Sequence, residues 1–333
     1  MDRRTCNIWG LVGIGALLHF LVDGLCLCSL YLLMNASFEM LHFFGFFVIY
    51  NVLAFLTQPL TGWWADRMEQ RHWLLLLSVA FLTLGVLTVS LLNAPLSANY
   101  PVIAVVASIF LGMGNSLFHV WGGKQVAVRT NNDIRALGVF VSTGAFGLAV
   151  SMVFFSWTIL FTFLMLICLF SLLYLRLETK GELIKESASR FDHPSSFIPH
   201  PSSLILLLLI MAFVMLRSFM GSSFSAGLGK TGTLILLVGF CGMLGKMAGG
   251  WVARWMGNIS TFVVALVVAV GCWLLGGTRQ AIPLVGLLAI NCTMPVTLYW
   301  ANGLLKGREG LAFGLLAAAL IPGYLLSTFP LWP

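Results

Sequence analysis

The chain has 333 residues, 59% of them hydrophobic and only 9% charged, with a formal net charge of +7 and a mean hydropathy of +0.98. That much apolar surface exceeds what one water-facing core can hide, which excludes a soluble globular protein. The basic residues stand singly between apolar runs rather than along one stripe, which excludes nucleic acid as the partner that the positive charge serves.

The opening MDRRTCNIWGLVGIGALL has the basic start and apolar run of a signal peptide. The apolar stretch nevertheless continues to about Met34, carries His19 and Asp23, and meets no small-x-small cleavage site, so it predicts a retained first transmembrane helix. Apolar runs and breakers then predict eleven spans: 8–34, 41–64, 73–93, 101–127, 136–155, 157–177, 203–222, 232–254, 259–276, 281–304 and 310–329. No polar loop marks the cut at Ser156. The expected fold is an all-α polytopic membrane protein.

With these spans Arg3, Arg4, Arg67, Arg71, Lys124, Arg129, Arg135, Arg176, Lys180, Lys185, Arg190, Arg254, Lys306 and Arg308 fall on one side, and little beyond Lys230 and Arg279 on the other. The positive-inside bias puts the N-terminus in the cytoplasm. The long polar segment ETKGELIKESASRFDHPSSFIPHPSS reads as a solvated cytoplasmic linker. It divides an N-terminal six-helix bundle, 1–177, from a C-terminal five-helix bundle, 203–333, with residues 178–202 between them. A six-plus-six arrangement would add a twelfth helix after the eleventh span. His193 and His200 in the linker are held apart by prolines and read as solvated.

Ionisable residues inside spans are costly and so mark function. His19 and Asp23 are four apart on one helix face, and Asp23 lies roughly 22 Å of helical rise beyond Ile8. Setting HFLVD (His19–Asp23) against FVMLR (Phe213–Arg217) places Arg217 opposite Asp23, which predicts a pair, direct or through a solute. The fourth span, GMGNSLFHVWGGKQVAVR, offers Asn115 and His119 near its middle, and Asn291 and Pro295 answer them in the tenth. Lys246, on a glycine-rich helix, is expected to snorkel to the interface. The seven cysteines lack CxxC or zinc-ligand spacing, and no nucleophile–base pair or metal-ligand cluster emerges. Accordingly no enzyme activity, cofactor or metal is expected.

Between the second and third spans stands QPLTGWWADRMEQR, with Gly62, Asp66, Arg67 and Arg71 in the pattern G-x-x-x-D-R-x-x-x-R. It resembles the signature turn of major facilitator superfamily transporters. A fainter copy, GKMAGGWVARWMGN, sets Gly250-Trp251-x-Ala253 against Gly62-Trp63-x-Ala65, with Arg254 where Asp66 was, as in a duplicated architecture. HFLVD, VIYNVLAFLTQPLTGWWADR, GMGNSLFHVWGGKQVA and LRSF (Leu216–Phe219) resemble the fosmidomycin-resistance-type branch. Phe118 and His119 keep that branch's Phe-His-Pro-Glu start, but Val120 and Trp121 replace its Pro and Glu.

The resemblance implies two pseudo-symmetric bundles and alternating access. It implies proton-coupled export of a small organic solute across the plasma (inner) membrane, by a monomer or weak oligomer. The site residues it implies line spans one, four, seven and ten: His19, Asp23, Asn115, His119, Arg217 and Asn291. Gly62, Asp66, Arg67 and Arg71 would form the cytoplasmic gate, with Asp66 meeting the N-terminal end of the eleventh span and the arginines bridging neighbouring loops. The altered Phe-His-Val-Trp element and the absent twelfth helix point instead to a transport-inactive sensor, scaffold or assembly partner.

Overall fold

A computed structural model of the chain describes residues 3–35, 40–68, 72–93, 100–180, 201–276 and 280–328. Among them, 11 helices are long and apolar enough to cross a membrane, which makes this an integral membrane protein. Large apolar side chains such as Leu60, Met165, Leu172, Leu209 and Val267 stand exposed on the outside of the molecule, as residues facing hydrocarbon do. Most of the linker, with His193 and His200, lies outside the described residues, as do Arg71 and Arg279.

In chain order the helices are α1 (Arg3–Asn35), α2 (Met40–Asn51), α3 (Gln58–Ala65), α4 (His72–Ser90), α5 (Tyr100–Arg129), α6 (Ile134–Phe154) and α7 (Trp157–Lys180). They continue as α8 (Pro201–Ala226), α9 (Gly232–Met256), α10 (Asn258–Leu275), α11 (Ala281–Leu304), α12 (Glu309–Ala318) and α13 (Leu320–Thr328). The second span is α2 and α3 joined by a π-helical turn, Val52–Leu56. Pro59 follows that turn; it has no N–H to give the preceding turn, and its ring crowds the carbonyl four residues back. In the eleventh span Pro322 has no N–H to offer the Ala318 carbonyl, and the helix breaks there into α12 and α13. The cut at Ser156 has a local cause, because its Oγ accepts from the Ile159 N–H and caps α7.

The helix α1 packs on α5, α6 and α7, and α4 packs on α5. The helix α11 packs on α8, α9 and α10. The most buried large side chains, Trp121, Phe118 and Phe140, sit where α5 and α6 meet the core. Two seams join helices from either side of the linker: α3 and α5 against α12, and α6 against α9. Both seams depend on glycine. A Cβ on Gly62 would strike the Gly310 carbonyl, and one on Gly250 would stand 2.6 Å from the Ile134 carbonyl oxygen.

Candidate transport site

Inside the bundle the structure gathers His19 and Asp23 of α1 with Asn115 and His119 of α5. His19 Nε2 is 3.3 Å from Asp23 Oδ2, and His119 Nε2 is 3.4 Å from Asp23 Oδ1. The two imidazoles meet edge to face with centroids 4.6 Å apart. Asn115 Nδ2 donates to Asp23 Oδ1 at 3.1 Å, while Asn115 Oδ1 is buried with no hydrogen-bond partner. Phe118, Phe140 and Phe313 pack around the two histidines. Gly144 of α6 makes the space: a Cβ there would collide with Asp23 Oδ2 and His19 Nε2.

The remaining ring nitrogens fix the chemistry. His19 Nδ1 lies 2.7 Å from the Phe140 carbonyl oxygen, and His119 Nδ1 lies 2.9 Å from the Asn115 carbonyl oxygen. A carbonyl oxygen only accepts, so each Nδ1 carries the hydrogen. In a neutral ring, Nε2 then presents its lone pair, and both lone pairs face one carboxylate. Lone pairs on both sides repel, so the arrangement holds together when a cation stands between them. Asp23 keeps 13% of its side chain exposed, His19 7% and His119 10%, so all three lie inside the protein.

These three donors were invisible as a cluster in the sequence. Their donor atoms all lie within 4.8 Å of one another, a grouping that could hold a metal ion and that sequence spacing did not offer. Only the i,i+4 pair is local; His119 arrives because α5 packs on α1.

Arg217 of α8 is buried, and its Nε has no hydrogen-bond partner. Among the described residues it makes no ion pair with Asp23, so the expected direct pair is not formed. The reason is that Asp23 is already partnered within α1 and α5. Lys246 of α9 is half-buried, and the charges of Arg217 and Asp23 both act on it. Asn291 donates to the Leu287 carbonyl of its own helix and packs beside Gly245, next to Lys246.

At the basic-rich end, Asp66 Oδ1 accepts from the Gly310 N–H at 2.9 Å and Oδ2 from the Leu311 N–H at 2.8 Å, at the positive end of the α12 dipole. Lys124 Nζ donates to the Ala65 carbonyl at 2.6 Å and stands 3.4 Å from Asp66 Oδ1. Burial pushes the Asp66 carboxyl up from the usual carboxylate range, against the pull of Lys124 and the two backbone donors. Sequence reasoning missed Lys124, because a lysine near a span end reads as a topology marker. Arg67 lies over the Trp63 ring at 3.4 Å and donates to the Trp63 carbonyl. Trp63 is its nearest neighbour on the helix face, one turn back.

The chain belongs to the Major Facilitator Superfamily, whose family model matches residues 12–328. No curated protein sequence matches the chain. It is similar in fold to the human organic anion transporter MFSD10 (TETRAN), with a TM-score of 0.68 at 18% identity over 98% of this chain and 93% of that one. It is also similar to the E. coli fucose:proton symporter FucP, with a TM-score of 0.62 at 14% identity over 97% and 90%. A bacterial homologue of the iron transporter ferroportin, in its outward-facing state, gives 0.64 at 14% identity over 95% and 90%.

Proposed function

We propose that the protein is a secondary active transporter that moves a small organic anion by alternating access, coupled to protons, with export as its direction. The observation that carries this reading is the Asp23 carboxylate inside the membrane, facing Nε2 of two histidines from different helices. Protons are the simplest cations to fill that demand, and their arrival or departure changes the charge that the site presents to a solute. Arg217 and Lys246 supply two further positive charges in the same region. A carboxylate or phosphonate solute would complement them, with Asn291 alongside. The organic anion transporter and the proton symporter among the fold neighbours support that choice; export rests on the resemblance to the fosmidomycin-resistance-type branch.

Gly62, Asp66, Arg67 and Arg71 act in this reading as the cytoplasmic gate, with the N-terminus in the cytoplasm and the protein in the plasma (inner) membrane. The two bundles, 1–177 and 203–333, rock about the midplane site, joined by the linker 178–202. Proton flux in proteoliposomes tests the proposal, with a panel of small organic anions added to wild type and to Asp23→Asn. A solute-dependent proton signal in the wild type that Asp23→Asn abolishes is the expected result. Silence from folded wild type across a broad anion panel overturns it in favour of the scaffold reading.

A further inference from the structure

The triad His19, Asp23 and His119 has the composition of a two-histidine, one-carboxylate metal site, and its geometry can be compared with what one ion requires. Nitrogen and oxygen ligands sit roughly 2.0–2.2 Å from a zinc-type ion, which separates neighbouring ligands by about 3.0–3.5 Å. The observed Nε2–Oδ separations of 3.3 and 3.4 Å, each histidine to a different oxygen of the one carboxylate, fall in that interval, and the three donor atoms lie within 4.8 Å of one another. Metal-bound histidines characteristically give their other ring hydrogen to a carbonyl or carboxylate, which fixes the tautomer and aims the lone pair. His19 does so to Phe140 and His119 to Asn115.

Two further observations point to an occupant. Asn115 Oδ1 is buried and unpartnered beside the same carboxylate; half a turn of the amide exchanges its Nδ2 for that oxygen and offers a fourth donor. Gly144 keeps open the space that a methyl group would fill.

We propose that His19, Asp23 and His119 bind one first-row divalent transition-metal ion, with Asn115 as a further oxygen donor. Imidazole with carboxylate selects zinc, iron(II), cobalt or nickel over calcium and magnesium, which prefer oxygen alone. The ion replaces the protons that the same donors otherwise share, so metal and protons exclude one another. The proposal rests on the reading above only in that the site must be reached from water.

Cobalt(II) titration of the full chain purified in detergent tests it, followed by visible absorption and by competition with zinc(II). One cobalt ion per chain, displaced by zinc and bound more weakly at pH 5.5 than at 7.5, is the expected result. Asp23→Asn and His119→Ala each weaken binding by more than about tenfold, and His72→Ala leaves it unchanged. Gly144→Ala, which keeps every donor residue but pushes its Cβ against Asp23 Oδ2 and His19 Nε2, weakens it too. X-ray absorption of the zinc-loaded wild type needs no variant and should count two imidazoles in the coordination shell. No binding at pH 7.5, a shell without imidazole, or unaltered affinity in Asp23→Asn overturns the proposal. Proton-coupled flux without metal binding sinks this inference and leaves the transport reading standing; binding without flux does the reverse.

Discussion

The two seams at the basic-rich end solve one packing problem with opposite electrostatics. In both, a glycine lets a helix lie against the first turn of a helix from across the linker: Gly62 on Gly310–Leu311, and Gly250 on Ile134–Arg135. In the first seam the carboxylate comes from across the interface, since Asp66 follows α3 and accepts from the N-terminus of α12. In the second, the carboxylate belongs to the helix it caps. Asp133 accepts from the Arg135 N–H at 2.9 Å and from its guanidinium, and the charge of Arg254, the counterpart of Asp66, also acts on it. Arg135 in turn stacks over Trp9 and Trp251, which stack on each other. Opening the first seam strips α12 of its cap and leaves Asp66 beside Lys124 on the α3–α5 side; opening the second leaves Asp133 and Arg135 joined. Closure therefore supplies a helix cap at the first seam only, while at the second it adds the Arg254 charge to a cap already made.

Removing the carboxylate at the first seam should break this contrast most sharply. Asp66→Ala takes the carboxylate away from the Gly310 and Leu311 N–H groups and from the Lys124 ammonium, a loss of about 3 kcal/mol. Amide hydrogen exchange should rise at Gly310 and Leu311, while Arg254→Ala leaves the start of α6 protected. Equal responses at both seams would contradict the division drawn here. Next in size come the glycines, where the seams should behave alike. Gly62→Ala and Gly250→Ala each force backbones apart at a cost of about 1–3 kcal/mol, read as a lower thermal midpoint in detergent. A silent variant at either position would show that its seam has slack.

Hydropathy and breakers made the spans legible, because every backbone group in a bilayer must be paired within a helix and such helices need a minimum length. The π-turn before Pro59 was not legible: Val52–Leu56 is as apolar as any helical stretch, and the extra residue per turn leaves no compositional trace. The i,i+4 spacing of His19 and Asp23 pointed to one helix face, yet His119 is 96 residues from Asp23 and only the packing of α5 on α1 joins them. Gly144, a bare glycine in α6, signals nothing until its neighbours are known. Repeat alignment put Arg217 at the depth of Asp23, but depth is not contact. Arg254 read as a degraded Asp66, although it is a complementary charge for Asp133 in a seam built the other way round.

Acidification should separate the seams by sign. The Asp66 carboxyl is raised in the folded protein, so its contribution is fully present below the unfolded pKa near 3.8 and is lost as pH rises through its elevated folded value. Burial opposes ionisation of Asp133 as well, but hydrogen bonds from Arg135 and the Arg254 charge hold its carboxyl below the ordinary 3.8. Its contribution is present above pH 3.8 and is lost as pH falls through the lower folded value. Asp66→Asn should therefore flatten the stability profile above pH 4, and Asp133→Asn below it. Thermal midpoints collected from pH 3 to 7 decide this, and a swap of the two windows would refute it.

The smallest effect belongs to the cap itself. Asp133→Ala removes an acceptor from the first turn of α6 and should lower stability by about 1 kcal/mol. Because Asp133 and Arg135 ride on the same helix, the loss should appear as fraying of Ile134–Leu137 in hydrogen exchange, with the Gly250 contact and the α3–α12 seam as protected as in wild type. Combining Asp133→Ala with Asp66→Ala should then add the two losses to within about 0.5 kcal/mol, as for separate sites with no shared partner. A coupling larger than that would mean that the seams open together, and that the cis cap senses closure after all.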